Sequence, residues 1–174
     1  FVSIQYEHLR GIEDSSKKNA HMQISATKQL LEYSDLTGLS IYRYGKRHPN
    51  PPTKDFFDLA LSFGKPIVIA ECGAMSQTTK IMGMNLTSDE NNQDEFLTMI
   101  LENAQRHKFA FVINWVPIDF DPLIKKLPKH AREFAKAWVH SGLATYKGKE
   151  KKALSTWRQY LLKKNGNNAT TWPK

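Results

Sequence analysis

Lys65-Pro-Ile-Val-Ile-Ala-Glu71-Cys-Gly-Ala74 is the stretch that decides the fold. Its apolar run from Ile67 to Ala70 is rich in β-branched residues, is entered through Gly64 and Pro66, and is left through Gly73. A strand buried on both faces needs such a run, because alternation is lost when neither face meets water, and this is the habit of central parallel strands. Parallel neighbours require crossovers, so helices are expected between the strands. The run ends in a carboxylate, Glu71, at the strand's C-terminal tip, where barrel and open α/β enzymes place their chemistry. A strand-end glutamate that caps a loop or pairs with Lys or Arg is an equally valid reading of this stretch alone.

Working outward, strands and helices alternate. Phe1–Tyr6 reads as a short strand followed by Glu7-His8 and a polar loop. Asn19 caps a helix through Met22, Ile24, Leu30 and Leu31 to Tyr33, with apolar residues near helical spacing. Asp35-Leu-Thr-Gly-Leu-Ser-Ile-Tyr42 is a second strand, ending in Tyr42-Arg43-Tyr44 and a basic, proline-rich loop to Pro52. A short helix from Asp55 to Phe63, stopped by Gly64, precedes the Glu71 strand. A polar loop from Ser76 to Asn92, long enough to cover a site, leads to a helix from Gln93 to His107. Phe109–Trp115 is the fourth strand, with Asp119 and Asp121 after it. Helical patterns resume from Pro128 through Phe134 and Trp138, break at Gly142, and return from Ala153 to Leu162. Right-handed crossovers then make all four strands parallel, with Glu7, Tyr42, Glu71 and Trp115 at one end of the sheet. Residues 1–164 are expected to form one unit and 165–174 a frayed tail.

The 174 residues, 40% of them hydrophobic, suffice for one sizeable core. No apolar run reaches membrane-spanning length. The opening has neither an initiator Met nor a leader, which suggests a chain whose beginning lies elsewhere. The net charge of +8 is scattered, with clusters at 46–47, 125–129 and 147–152 and no nucleic-acid motif, so neither nucleic acid nor membrane is expected as a partner. The single cysteine, Cys72, excludes an internal disulfide and a Cys-based metal site, and strand alternation points it away from Glu71. His8, His48 and His107 show no metal spacing, so neither metal nor cofactor is expected. Asn85-Leu-Thr87 and Asn168-Ala-Thr170 match the glycosylation sequon, a pattern frequent by chance.

Taken together, Asp35–Tyr42, Lys65–Gly73, Val112-Ile-Asn-Trp115 and the closing Gly142-Leu143 with Ala153-Leu-Ser-Thr-Trp157 resemble strands six, seven and eight and the last helix of retaining TIM-barrel glycosidases. That clan includes arabinogalactan endo-β-1,4-galactanases, cellulases and mannanases, with the galactanase-like branch nearest. The resemblance implies an α/β fold, the C-terminal (βα)4 half of a (β/α)8 barrel, strands five to eight. It further implies an extracellular setting, a polysaccharide or oligosaccharide substrate, and no cofactor. Glu71 matches the nucleophile at the tip of strand seven, Tyr42 the strand-six tyrosine that orients it, and Trp115 the strand-eight platform under the sugar. Asn114, Tyr44, His8 and Asp119 stand as substrate contacts, although Asp119-Phe-Asp121-Pro122 reads equally as a helix-capping turn.

Retaining hydrolysis needs a second carboxyl about 5–5.5 Å from the nucleophile. The clan carries it in an Asn-Glu pair on strand four, which this chain lacks if Phe1–Tyr6 is strand five. Glu7 is the substitute within the chain, but Tyr6 precedes it where the clan has Asn. An isolated half barrel would leave two strand edges and an apolar face in water, so an N-terminal half is expected as a partner, from the same gene product or a second chain. The two functions in view are the C-terminal half of a β-glycan hydrolase, inactive alone, and a non-catalytic carbohydrate-binding or scaffolding half barrel.

Overall fold

The structure is a computed structural model that describes residues 1–11, 20–44 and 55–164. Asn19 as a cap, His48, most of the loop up to Pro52, the Asn168 sequon and the 165–174 tail lie outside the described residues. Four strands form one sheet in the order β1, β2, β3, β6, where β1 is Val2–Gln5, β2 is Thr37–Arg43, β3 is Ile67–Ala74 and β6 is Val112–Asn114. Every pairing is parallel, as the crossover pattern requires. Between and after the strands lie α1 (Tyr6–Leu9), α2 (Ala20–Glu32), α3 (Asp58–Leu61), α4 (Glu90–Arg106), α5 (Asp121–Ile124), α6 (Lys129–Ala135) and α7 (Lys152–Lys164). No helix among the described residues is long and apolar enough to cross a membrane.

The core lies on one face of the sheet. Leu39 and Ile41 of β2 and Ile67, Ile69, Cys72 and Ala74 of β3 pack with Tyr6 and Leu9, with Phe57 and Ala60 of the α3 region, and with Phe96, Leu97 and Ile100 of α4. α4 forms here because Asp89 caps it by accepting the Asn92 amide (2.8 Å), and its apolar residues at 96, 97, 100 and 101 make one stripe. Burying a side chain such as Leu97 or Ile100, both at 0% exposure, is worth about 1.5–3 kcal/mol relative to leaving it in water. On the opposite face stand Ser3, Gln5, Ser40 and Ile113, of which Ser3 and Gln5 are exposed and Ile113 is 48% exposed. Phe1 reaches back over Gly38 and meets Phe111 edge to face, with centroids 5.8 Å apart.

One irregularity in β3 governs everything at its tip. Leu39 pairs with Ile69, but the next residue, Ser40, pairs with Glu71, and on the other side Val112 pairs with Ile69 while Asn114 pairs with Cys72. Both neighbours thus skip one residue of β3, Ala70, which is a β-bulge. Strict alternation would put Glu71 on the same face as Ile67 and Ile69, inside the core. The bulge reverses the phase, so that Cys72 and Ala74 return to the core and Glu71 and Gly73 join Ser40 and Tyr42 on the opposite face.

Two expected elements differ in extent. The fourth strand is a three-residue ladder rather than Phe109–Trp115, because Phe109 donates its amide to Ala104 and so belongs to the end of α4. Hydrogen bonds from Ala110 to Ile67 and from Trp115 to Cys72 extend the contact with β3 at both ends. The polar segment 76–92 is not a loop throughout, since β4 (Thr79–Ile81) and β5 (Met84–Leu86) form an antiparallel hairpin turned at Met82-Gly83, and α4 already begins at Glu90. Both turn residues have positive φ, 47° and 81°, as a two-residue hairpin turn demands.

Candidate active site

The C-terminal halves of β2 and β3 meet at a side-chain hydrogen bond. Tyr42 donates its hydroxyl to Glu71 Oε2. Burial is the first cause, and the hydrogen bond and charge of Glu71 the next, that push the Tyr42 hydroxyl well above the ordinary tyrosine range, so it stays a donor. Glu71 itself is half-buried. Cys72 beside it is fully buried in the core, and burial followed by the Glu71 charge raises its thiol pKa, so it offers no thiolate.

Gly73 is required where it stands. A Cβ there would lie 2.7 Å from the Trp115 carbonyl oxygen and 3.2 Å from the Tyr42 ring, so only glycine lets the β6 tip and Tyr42 close on the residue after Cys72. Trp115 donates its amide to the Cys72 carbonyl (2.7 Å), its side chain is 47% exposed, and the Trp115–Val116 peptide bond is cis. The carboxylate, the tyrosine hydroxyl and an exposed indole therefore share the C-terminal end of the sheet.

Glu7 belongs to the same end but has a different posture. It is 3% exposed, and its Oε1 accepts the Tyr42 backbone amide at 2.9 Å, tying α1 to the tip of β2. Tyr6 beside it donates to the Phe56 carbonyl (2.7 Å), and burial raises its hydroxyl pKa to about 12. His8 is exposed on α1. Tyr44 stacks on Tyr42 with ring centroids 5.6 Å apart, and Trp138 stands edge-on to both, at 6.0 Å from Tyr42 and 5.9 Å from Tyr44.

Two of the sequence-selected residues point elsewhere. Asn114 is the register partner of Cys72, so it lies on the helix side of the sheet, and its amide donates to Val116 (2.9 Å) and Ser141 (3.3 Å) carbonyls. Asp119 is 5% exposed, and its Oδ1 accepts from the Gly142 amide (2.9 Å) and from Lys151 Nζ (2.6 Å). Lys151 also donates to Ser76 Oγ (2.7 Å), and a Cβ on Gly142 would sit 2.3 Å from the Asp119 nitrogen. Gln93 completes this knot by donating to the Ala74 and Gly142 carbonyls, both at 3.0 Å. Asp119, Asp121 and His140 bring one potential ligand atom each within 4.8 Å of one another, yet Oδ1 of Asp119 is already held by Lys151. Sequence reasoning missed Lys151, Gln93 and His140, whose partners lie far away in the chain. It also missed Trp138 and Phe134 as site neighbours, although their four-residue spacing placed them on one helical stripe.

No known protein family and no curated protein matches the sequence. Solved structures do match in fold. A β-glucuronidase of Faecalibacterium prausnitzii superposes with a TM-score of 0.53 at 17% identity, over 74% of this chain and 22% of that one. A GH2 β-galacturonidase of Eisenbergiella tayi, bound to glycerol, gives 0.51 at 18% identity, over 87% of this chain and 31% of the other. A Ruminococcus gnavus β-glucuronidase in complex with an N1-substituted uronic isofagomine gives 0.51 at 14% identity, over 84% and 29%. The likeness is one of fold, to glycoside hydrolases of which this chain spans 22–31% of the length, and the galactanase-like branch is not among these three.

Proposed function

We propose that residues 1–164 are strands five to eight of a retaining (β/α)8 glycoside hydrolase that cleaves β-linked polysaccharide, with Glu71 as its nucleophile. The observation that carries this is the bulged tip of β3, which takes a carboxylate out of the core face and holds it against a tyrosine hydroxyl beside an exposed tryptophan. The fold likeness to uronic-acid glycosidases supports the reaction class. Their names carry glucuronides and galacturonides, whereas the sequence resemblance points to neutral β-1,4-glycans, so both classes belong in the assay.

In this mechanism the Tyr42 hydroxyl holds Oε2 and leaves the other carboxylate oxygen to attack the anomeric carbon. A bond forms from that carbon to Glu71 while the glycosidic C–O bond breaks, and a general acid gives its proton to the departing oxygen. The same group then deprotonates a water that attacks the anomeric carbon and releases Glu71. Trp115 stacks under the sugar ring at the cleavage point, with His8 and Tyr44 at the rim. We assign the acid/base to a carboxyl outside this chain, because Glu7 is buried and engaged with the Tyr42 amide, where it acts as a positioning residue. Asn114 and Asp119 hold loops in this scheme rather than sugar. The outer edges of β1 and β6 and the face carrying Ser3, Gln5 and Ile113 are where an N-terminal half would complete the barrel.

Glu71→Gln in the complete protein tests the proposal. The expected outcome is abolished hydrolysis of every β-glycan and β-uronide the parent protein cleaves, with folding and sugar binding retained. Unchanged turnover would sink the assignment. A parent protein that binds oligosaccharides but cleaves none would favour the carbohydrate-binding alternative.

A further inference from the structure

An aromatic run leaves the Glu71 site and heads into solvent. It starts at Tyr42, which holds Glu71 and is 7% exposed, passes through Tyr44 and the partly buried Trp138, and ends at Phe134, which is 64% exposed. Successive rings are in contact: Tyr42 on Tyr44 at 5.6 Å, Tyr44 on Trp138 at 5.9 Å, and Trp138 on Phe134 at 4.9 Å between centroids. The last two contacts are edge to face, at 84° and 60°. Phe134 and Trp138 are four residues apart at the C-terminal side of α6, so one stripe of that segment carries both.

The outer end of the run is fixed in place from the side. Glu133, next to Phe134, forms an ion pair with Lys136, and this lysine, with a smaller contribution from the nearby Met82 amide of the hairpin turn, holds its carboxyl below the usual range. The hairpin that follows β3 and the helix that follows β6 therefore meet at Glu133. An exposed aromatic side chain costs free energy in water, and here one ends a ring cluster that begins at the tyrosine bonded to Glu71.

We propose that the run Tyr44, Trp138 and Phe134 is an outer saccharide subsite, which takes a sugar ring of the β-linked chain beyond the ring at Glu71; this rests on the glycosidase reading above. Three features fit a glycan rather than a protein partner. The run is contiguous with the site through Tyr42, so its occupant has to continue the molecule held at Glu71. It is a narrow cluster, three mutually packed rings extended outward by Phe134, whereas a stable protein interface spans a broad patch. Polar groups, the Glu133–Lys136 pair among them, border it, and a β-linked pyranose pairs an apolar C–H face with a rim of hydroxyls in the same way.

The test uses the complete protein in a Glu71→Gln background, so that no substrate is consumed, and titrates it calorimetrically with β-1,4-linked galacto-, manno- and cello-oligosaccharides and oligogalacturonides of increasing length. Affinity is expected to rise with length until the ridge is filled. Phe134→Ala, at an exposed position where folding is preserved and can be checked by circular dichroism, is expected to lower affinity for the longer members roughly three- to tenfold and to leave the shortest unchanged. Phe134→Tyr, which retains the ring, is expected to restore the length dependence. Longer and shorter oligosaccharides weakened alike, or neither weakened, would overturn the subsite while leaving the glycosidase reading intact. Binding of no oligosaccharide by the unsubstituted background would overturn both.

Discussion

Two carboxylates sit at the same end of the sheet, and the chain treats them oppositely. Asp119 is sealed from solvent, which opposes its charge, and the Lys151 ammonium and the Gly142 amide offset that cost. Glu71 is half-buried, has a neutral hydroxyl as its hydrogen-bond donor, and forms no ion pair among the described residues. A charge compensated by a buried cation has little reason to react. A charge steadied by one hydroxyl and left partly open retains the capacity to form a bond elsewhere. The difference separates a carboxylate whose bonds are spent on the fold from one whose bonds are not.

The comparison breaks most visibly at Lys151. Lys151→Met leaves Asp119 charged and buried without its cation, and should cost about 3–5 kcal/mol in urea unfolding. Adding Asp119→Asn, which keeps an oxygen for the Gly142 amide, should recover part of that loss; no recovery would mean that the pair is not the source. Tyr42→Phe comes next, with an expected loss of about 1 kcal/mol, because the hydrogen bond removed goes to a charged group that is only half-buried. The same tyrosine gives a pH test. Tyr6 and Tyr42 both have folded-state values above the unfolded value of 10.0. Their contribution to stability is therefore complete below pH 10 and is lost progressively as pH rises from there through the folded values, about 12 for Tyr6. Ultraviolet titration at about pH 11 should show Tyr6 and Tyr42 still protonated among the six tyrosines, and ionisation of all six in the folded protein would contradict this. Glu71→Gln should be the mildest in stability, within about 0.5 kcal/mol of the parent by the same unfolding measurement, although under the proposed function it abolishes hydrolysis. A loss as large as that for Lys151→Met would erase the distinction drawn between the two carboxylates.

The strands were legible because burial on both faces leaves a local imprint: Leu39 to Ile41 and Ile67 to Ile69 are runs that no amphipathic helix would use. That Glu71 lies in this strand was legible for the same reason, but not that the strand runs past it through Cys72 and Gly73 to Ala74, which leaves Glu71 in its C-terminal half rather than at its tip. Which side it faces was not, because the bulge at Ala70 has no residue signature and is set by the pairing of both neighbouring strands. Asn114 was grouped with Trp115 by adjacency, whereas register assigns it to the helix side with Cys72. Asp119 was readable only as a turn or a ligand, since its partner Lys151 is 32 residues away and buried pairs at such a distance leave no periodic trace. The hairpin at Met82-Gly83 was hidden for a chemical reason: the first turn position holds Met rather than the usual Asn or Asp, although Gly83 and the flanking Ile81 and Met84 were cues in hindsight.

The bulge at Ala70 also decides between two chemistries. Glu71 and Cys72 are adjacent, one a carboxylate and one a thiol, and at any strand position only one of two successive side chains can look toward the tip opening. As the sheet is paired, the carboxylate looks out and the thiol is shut in. Were Ala70 paired in a regular ladder instead of bulged, strict alternation would exchange them, drawing an acid into oil and presenting sulfur to solvent. Which of the two side chains meets the opening is thus written in how one strand pairs with its neighbours, not in the identity of its residues.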